Sequence, residues 1–373
     1  MSGIYLHIPF CRKACHYCNF HFSTTINSKT PMVKAICREA VVQKDYLTDP
    51  VSTIYFGGGT PSILKMEELQ LLLHSLHQNY TITPDAEITL EANPDDINVA
   101  NLTHWQQMGI NRLSIGIQSF QDADLLWMNR LHNTHSALKA LELATHFFNN
   151  ITIDLIYGSP LLTDEDWLYN LHTASSFNIP HISCYALTVE PNTALHKMID
   201  QHKKENIDAE KQSRHFDILC SWARKNCYEH YEISNFAKKG FRSKHNSSYW
   251  KGVSYLGLGP SAHSFNGTSR RWNIANNALY IRCIEQNDIT FEEEVLTPVQ
   301  QLNEAIMIQL RTIEGIDFND ARWMNIAYET KQKIFSAAQK WANTNHVIIH
   351  KNGMYLSDKG KFFADGIAAD LFQ

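Results

Sequence analysis

The sequence predicts an α/β fold with a smaller α+β module at its C-terminal end. Short apolar segments alternate with helix-period stretches through the first half of the chain. Near the end the pattern changes to longer helices followed by a hairpin signal. Length agrees, because 373 residues exceed one small core and suit one large domain with one appended.

The first predicted strands are residues 4–9, 53–56, 87–91, 112–117, 151–156 and 181–187, each bounded by turn residues. Between them, residues 31–46, 66–78, 98–108 and 135–148 place apolar side chains at helical spacing. Six consecutive βα units make either an open doubly wound sheet or an incomplete barrel. Both put functional groups at the C-terminal ends of the strands.

Beyond residue 190 a helix is predicted over 207–226 and a strand over 228–233, followed by a Gly- and Asn-rich stretch. A core over 1–235, a connecting region over 236–290 and a C-terminal domain over 291–373 are therefore expected. In the last part, helices at 298–312 and 329–343 precede residues 346–356, where Asn352-Gly353 favours a tight hairpin turn. That order predicts a winged-helix-like module. Its basic residues are sparse and mixed with acids, so packing or partner docking is expected of it rather than DNA binding.

Composition narrows the function classes. The net charge is −5 and the 33 basic residues are scattered, which gives no electrostatic footprint for nucleic acid. No run approaches the roughly 20 apolar residues that span a bilayer, and the N-terminus lacks the pattern of an export signal. A cytoplasmic protein without an integral membrane segment is expected. In a reducing compartment its eight cysteines should form no structural disulfide. Cys37, Cys184, Cys220, Cys227 and Cys283 read as small buried hydrophobes.

The other three cysteines stand close together. Cys11-x-x-x-Cys15-x-x-Cys18 directly follows the first predicted strand, so its thiols belong to a loop at the active end of the sheet. Three thiolates hold three irons of a cubane and leave the fourth iron open to another ligand. A structural zinc site is the alternative, with His7, His16 or His21 as fourth ligand.

The run from Tyr5 to Cys11, Tyr17 before the third cysteine, and Gly57-Gly58-Gly59-Thr60-Pro61-Ser62 after the second strand together resemble the radical SAM superfamily. The resemblance implies a partial (β/α)6 barrel, a [4Fe–4S] cluster on Cys11, Cys15 and Cys18, and S-adenosylmethionine (SAM) on its open iron. Glycines suit the methionine end of SAM because backbone can then approach it closely. Over nearly the entire chain the similarity narrows to the oxygen-independent coproporphyrinogen III oxidase family and its HemW-type haem chaperone branch. That family's SAM contacts correspond here to Tyr5, Tyr17, Gly58, Gly59, Thr60, Glu91, Gln118, Arg130 and Asp154, with Ala186 and His263 at the adenosine. Strand-end carboxylates can accept from ribose hydroxyls, and Arg130 can pair with the SAM carboxylate. Taken singly, Asp154 and Glu91 also read as helix caps, Gln118 as a sheet-edge partner and Arg130 as a surface charge.

Three departures separate the chain from the oxidase pattern. Phe20 stands where the oxidase has a fourth cysteine, and residue 4 already begins the first strand where the oxidase carries an N-terminal extension. The third is His245-Asn246-Ser-Ser-Tyr249-Trp250, which matches the haem-binding sequence of the HemW-type branch. Imidazole ligates haem iron well, and neighbouring aromatic rings offer a porphyrin a flat face. The resemblance therefore implies a haem chaperone that passes haem to an acceptor protein and lacks oxidase activity. A homodimer, and a flavodoxin or ferredoxin as electron donor for radical chemistry, belong to the same expectation. Oxidative decarboxylation of coproporphyrinogen is the alternative, and a zinc-binding interaction protein a third.

Overall fold

Alternation along the first strand sets the plan of the molecule. In the computed structural model, which describes residues 1–373, strand β1 (Ser2–Ile8) buries Ile4, Leu6 and Ile8 on one face and turns Gly3, Tyr5 and His7 to the other. The strands β2 (Val51–Gly58), β3 (Ile82–Ala92), β4 (Arg112–Gln118), β5 (Ile151–Tyr157) and β6 (His181–Ala186) follow it in sequence order, all parallel. Helices Lys29–Val42, Met66–Asn79, Val99–Gln107, Thr134–Phe147 and Asp164–Ser176 cover the outside. Their Ile36, Leu72, Trp105, Leu141 and Trp167 share one core with Phe56, Leu90, Ile115 and Ile153 of the strands.

The barrel stays open because β1 and β6 each take other neighbours. The antiparallel pair β7 (Glu229–Glu232) and β8 (Asn235–Ala237) adds to β6. On the far side β9 (Tyr255–Leu258) lies parallel to β1 and continues into antiparallel β10 (His263–Phe265), β11 (Ser269–Asn273) and β12 (Phe291–Val295). This seventh parallel strand was not expected. Its four residues include a glycine, too little pattern to stand out in sequence. Buried Glu39 of the first helix ties the extension down, accepting from Gly259 N at 2.8 Å and Asn273 Nδ2 at 2.7 Å.

The inner faces of the strands are polar, and the helix Lys244–Trp250 plugs their N-terminal end. Glu87 accepts from the backbone N–H groups of Lys244 and His245, both at 3.0 Å, and lies 3.9 Å from Arg112. Arg112 in turn donates to Thr152, which pairs with His181 at 3.0 Å; His181 reaches the Tyr231 hydroxyl at 2.7 Å.

A second, separate core gathers Ile306, Trp323, Ile334, Met354 and Ile367. Here strands β13 (Ile316–Asp317), β14 (Val347–His350) and β15 (Gly353–Leu356) form a small antiparallel sheet in the order β13-β15-β14. Helices Pro298–Leu310, Tyr328–Asn343 and Ala364–Leu371 pack with it as a winged-helix-like α+β domain. Because β12 belongs to the large sheet, the second core starts with the helix Pro298–Leu310 rather than at residue 291. Of the five remaining cysteines, Cys184 and Cys220 are buried as expected, whereas Cys227 is exposed at a turn with φ of 59°. No helix is long and apolar enough to cross a membrane.

Candidate functional site

The cysteine loop is a closed excursion from β1. Ser23 N donates to Pro9 O at 2.9 Å and Cys11 N to Ser23 O at 3.0 Å, so its two ends are stitched together. Between them Cys11, Cys15 and Cys18 line one cavity of about 640 Å³ at the C-terminal ends of the strands. Thr60 Oγ1 donates to Cys11 Sγ at 3.5 Å and Arg130 Nη1 to Cys15 Sγ at 3.4 Å. Burial raises the Cys11 thiol and pushes Cys18 up to about 11, so metal binding there must displace protons.

The glycine loop is built onto the same excursion. Gly59 N donates to Ile8 O and Thr60 N to Phe10 O, each at 2.8 Å. A Cβ on Gly59 would sit 2.6 Å from Phe10 O, and Gly58 adopts a φ of 105° with the His7 ring where its Cβ would point. Side chains are excluded at both positions, leaving bare backbone toward the cavity.

Opposite the thiols, alternation on β3, β4 and β5 brings Glu91, Ser114, Gly116 and Asp154 into the wall. Burial and the neighbouring Asp154 push Glu91 up to about 8, against a hydrogen bond from the Tyr55 hydroxyl at 2.8 Å. Burial also lifts Asp154 to about 6, opposed by Ser183 and Arg112. Arg130 Nη2 donates to Gly116 O at 2.7 Å and Asn93 Oδ1 at 2.9 Å. Its Nε is buried without an acceptor, a donor left for a ligand. Gln118 closes the wall at a β-bulge with a left-handed φ of 68°, a conformation that costs energy and is concentrated at functional sites. Tyr17 and Ala186 complete the expected set inside the cavity.

Other expected residues lie elsewhere. Tyr5 is inside the barrel, its hydroxyl 3.2 Å from His7 Nδ1, beneath the cavity wall rather than in it. His263 is exposed on β10 and stacks on Trp272, away from the cavity lining. The residues His245, Asn246, Tyr249 and Trp250 belong to the helix that plugs the opposite end. Both His245 nitrogens are engaged, Nδ1 with Thr53 Oγ1 and Nε2 with the Tyr249 hydroxyl, each at 2.8 Å. None of the four lines the cavity, yet two touch residues that do or that reach it. His245 stacks on Tyr55, the partner of Glu91, and Trp250 lies under the Arg311 guanidinium at 5.6 Å.

Asn93, Ser114 and Tyr185 also line the cavity and were not anticipated. Counting every second residue back from Gln118 along β4 would have found Ser114. Arg311 and Asp365 close the wall from the C-terminal domain, and nothing local in the sequence marks them. For zinc, no three His, Cys, Asp or Glu side chains converge on a single-ion site. His7, His16 and His21 bond instead to His21 O, Trp127 O and Asn277 Oδ1.

A model of the radical SAM superfamily matches residues 5–174. The heme chaperone HemW of Bacillus subtilis is 30% identical, over 98% of this chain and 98% of its own length. The chain belongs to the HemW family of the radical SAM superfamily. A second heme chaperone HemW, from Synechocystis, is 32% identical over 89% of the chain and 88% of its own length. Among solved structures, coproporphyrinogen III oxidase HemN from Escherichia coli superposes with a TM-score of 0.86. It covers all of this chain and 90% of its own at 21% identity, so it speaks for the shared fold. Membership of the superfamily implies a [4Fe–4S] cluster and SAM. The cavity wall fits both, with three thiols on one side and an unpaired buried Arg130 Nε beside the carboxylates.

Proposed function

We propose that the protein is a haem chaperone that binds haem, carries a [4Fe–4S] cluster with SAM, and transfers the haem to an acceptor protein. The observation that carries this reading is end-to-end similarity to the heme chaperone of B. subtilis, both chains matched over 98% of their length. Cys11, Cys15 and Cys18 hold the cluster, which when bound supplies one open iron for SAM and an electron when reduced. Gly58, Gly59 and Thr60 offer backbone to the methionine end of SAM, and Arg130 Nε takes its carboxylate. Glu91 and Asp154, ionised on binding, accept from the ribose hydroxyls. Tyr5 stacks on Tyr55 behind Glu91, and Tyr17, Gln118 and Ala186 shape the pocket. His263 takes part only if the adenosine extends past the open edge of the barrel. Arg311 and Asp365 of the C-terminal domain complete the wall of this site.

Haem is the cargo. His245 ligates its iron only by giving up the Tyr249 hydroxyl, and because His245 is buried at the closed end of the barrel, haem uptake is coupled to a movement of the helix Lys244–Trp250. Asn246 and Tyr249 then frame the site. The expected result is a stoichiometric Soret band on titrating anaerobically reconstituted protein with haemin, lost in His245→Ala. Tyr249→Phe, which frees Nε2, binds haemin more tightly than wild type. An unchanged band in His245→Ala removes the iron ligand from this reading, and no Soret band at all removes the chaperone. The same preparation with reductant, SAM and coproporphyrinogen forms no protoporphyrinogen; its formation would make the protein an oxidase.

A further inference from the structure

We infer that Arg311 anchors a carboxylate of the cargo, a haem propionate, at the seam between barrel and C-terminal domain; this rests on the haem-chaperone reading. The backbone there is fixed to the barrel. Ile233 N donates to Arg311 O at 3.1 Å, Ile313 N to Tyr231 O at 2.9 Å, and Thr312 bridges Glu232. The guanidinium lies over the Trp250 ring at 5.6 Å, so the aromatic face holds its plane. Trp250 Nε1 is itself buried without an acceptor.

Only Nη1 of the guanidinium is engaged, by Asp365 Oδ1 of the last helix. That partner is weakly held. The Asp365 side chain is 80% exposed against 24% for Arg311, so the pair gains little in water and a ligand carboxylate can replace it. A planar fork receives a carboxylate through two parallel bonds, which Nε and Nη2 leave open.

The surroundings suit a flat acid. Arg311 and Asp365 line both the large cavity and a second hollow of about 310 Å³, walled by Trp341, Phe362 and Phe363 with Lys361. Aromatic walls with the Arg311 cation at their edge suit a flat tetrapyrrole that offers a propionate there, while Lys361 is already held by His230 and Asp358. Asp365 acts as the placeholder that cargo displaces, so loading frees the last helix from the Arg311 side chain.

The test uses the reconstituted full chain, titrated with haemin and with haemin dimethyl ester, whose propionates are capped. Wild type binds haemin about ten-fold or more tighter than the ester, the size of one charge-assisted bond. Arg311→Gln erases that preference by weakening haemin alone, and Arg311→Lys restores part of it. Asp365→Asn shifts the other way and tightens haemin several-fold. The inference is overturned if Arg311→Gln keeps the preference, if Asp365→Asn weakens haemin, or if Arg311→Gln weakens SAM instead, which would give the residue to the SAM carboxylate. Wild type that binds neither porphyrin takes down the chaperone reading together with this one.

Discussion

At the scale of single residues, Glu91 shows how the cavity uses a costly group. Its folded value near 8 lies far above that of an unfolded glutamate, about 4.3, so the native state holds the extra proton between those limits. Stability of the SAM-free protein therefore falls as pH rises toward about 8 and levels off above it. Asp154 acts with the same sign up to about 6 and buried Glu232 up to about 7, so over a window from about 6.5 to 9 it is the difference between wild type and Glu91→Gln that isolates Glu91. In thermal melts across that window Glu91→Gln loses less stability than wild type, while its SAM affinity drops about ten-fold or more. Parallel melting curves for the two proteins would refute the assignment. At this scale the cysteine spacing already marked Cys11, Cys15 and Cys18 in the loop that ends β1, and the family resemblance marked Gly58, Gly59 and Glu91 at the ends of β2 and β3. Neither marked Asn93 or Arg311, whose place in the cavity depends on folding partners far away in the chain.

At the scale of elements, the helix Lys244–Trp250 is held by charges at the closed end of the barrel. Glu87 and Arg112 are both almost fully buried, and Glu87 also receives the first N–H groups of that helix, where its dipole favours an anion. Removing one partner strands a buried charge. Arg112→Ala should therefore cost about 3–5 kcal/mol in urea unfolding, while the paired change Glu87→Gln with Arg112→Met costs clearly less. Equal losses for the two variants would mean that charge pairing is not what holds the plug. Strands β1 to β6 and their helices were legible in order, since parallel strands buried on one face carry strong apolar patterns. The strand β9 was not, because its position beside β1 is chosen by Glu39 and the barrel edge rather than by its own four residues.

At the scale of the whole molecule, two cores of unequal size share one cavity. The C-terminal core has 13 buried residues against 57 in the barrel, so it should open at lower free energy. The domains meet through the backbone bonds of Ile233 with Arg311 and of Ile313 with Tyr231, through Phe362 against Phe216 and the buried contact of Lys361 with His230 at 3.1 Å, and through exposed pairs such as Arg224 with Asp358 and Arg242 with Glu314. Such pairs contribute about 0–1 kcal/mol each and weaken with salt. Hydrogen exchange should thus be faster over residues 298–373 than in β1 to β6, and 1 M salt should widen the gap. Uniform protection would show that the two cores open as one. The order of the chain adds a consequence for biosynthesis. The three thiols precede Arg311 and Asp365, which complete the wall of the same cavity, by most of the chain, so they are synthesised well before them. During synthesis the cysteine loop therefore waits for its last wall residues, and the cavity is complete only once the C-terminal domain has folded.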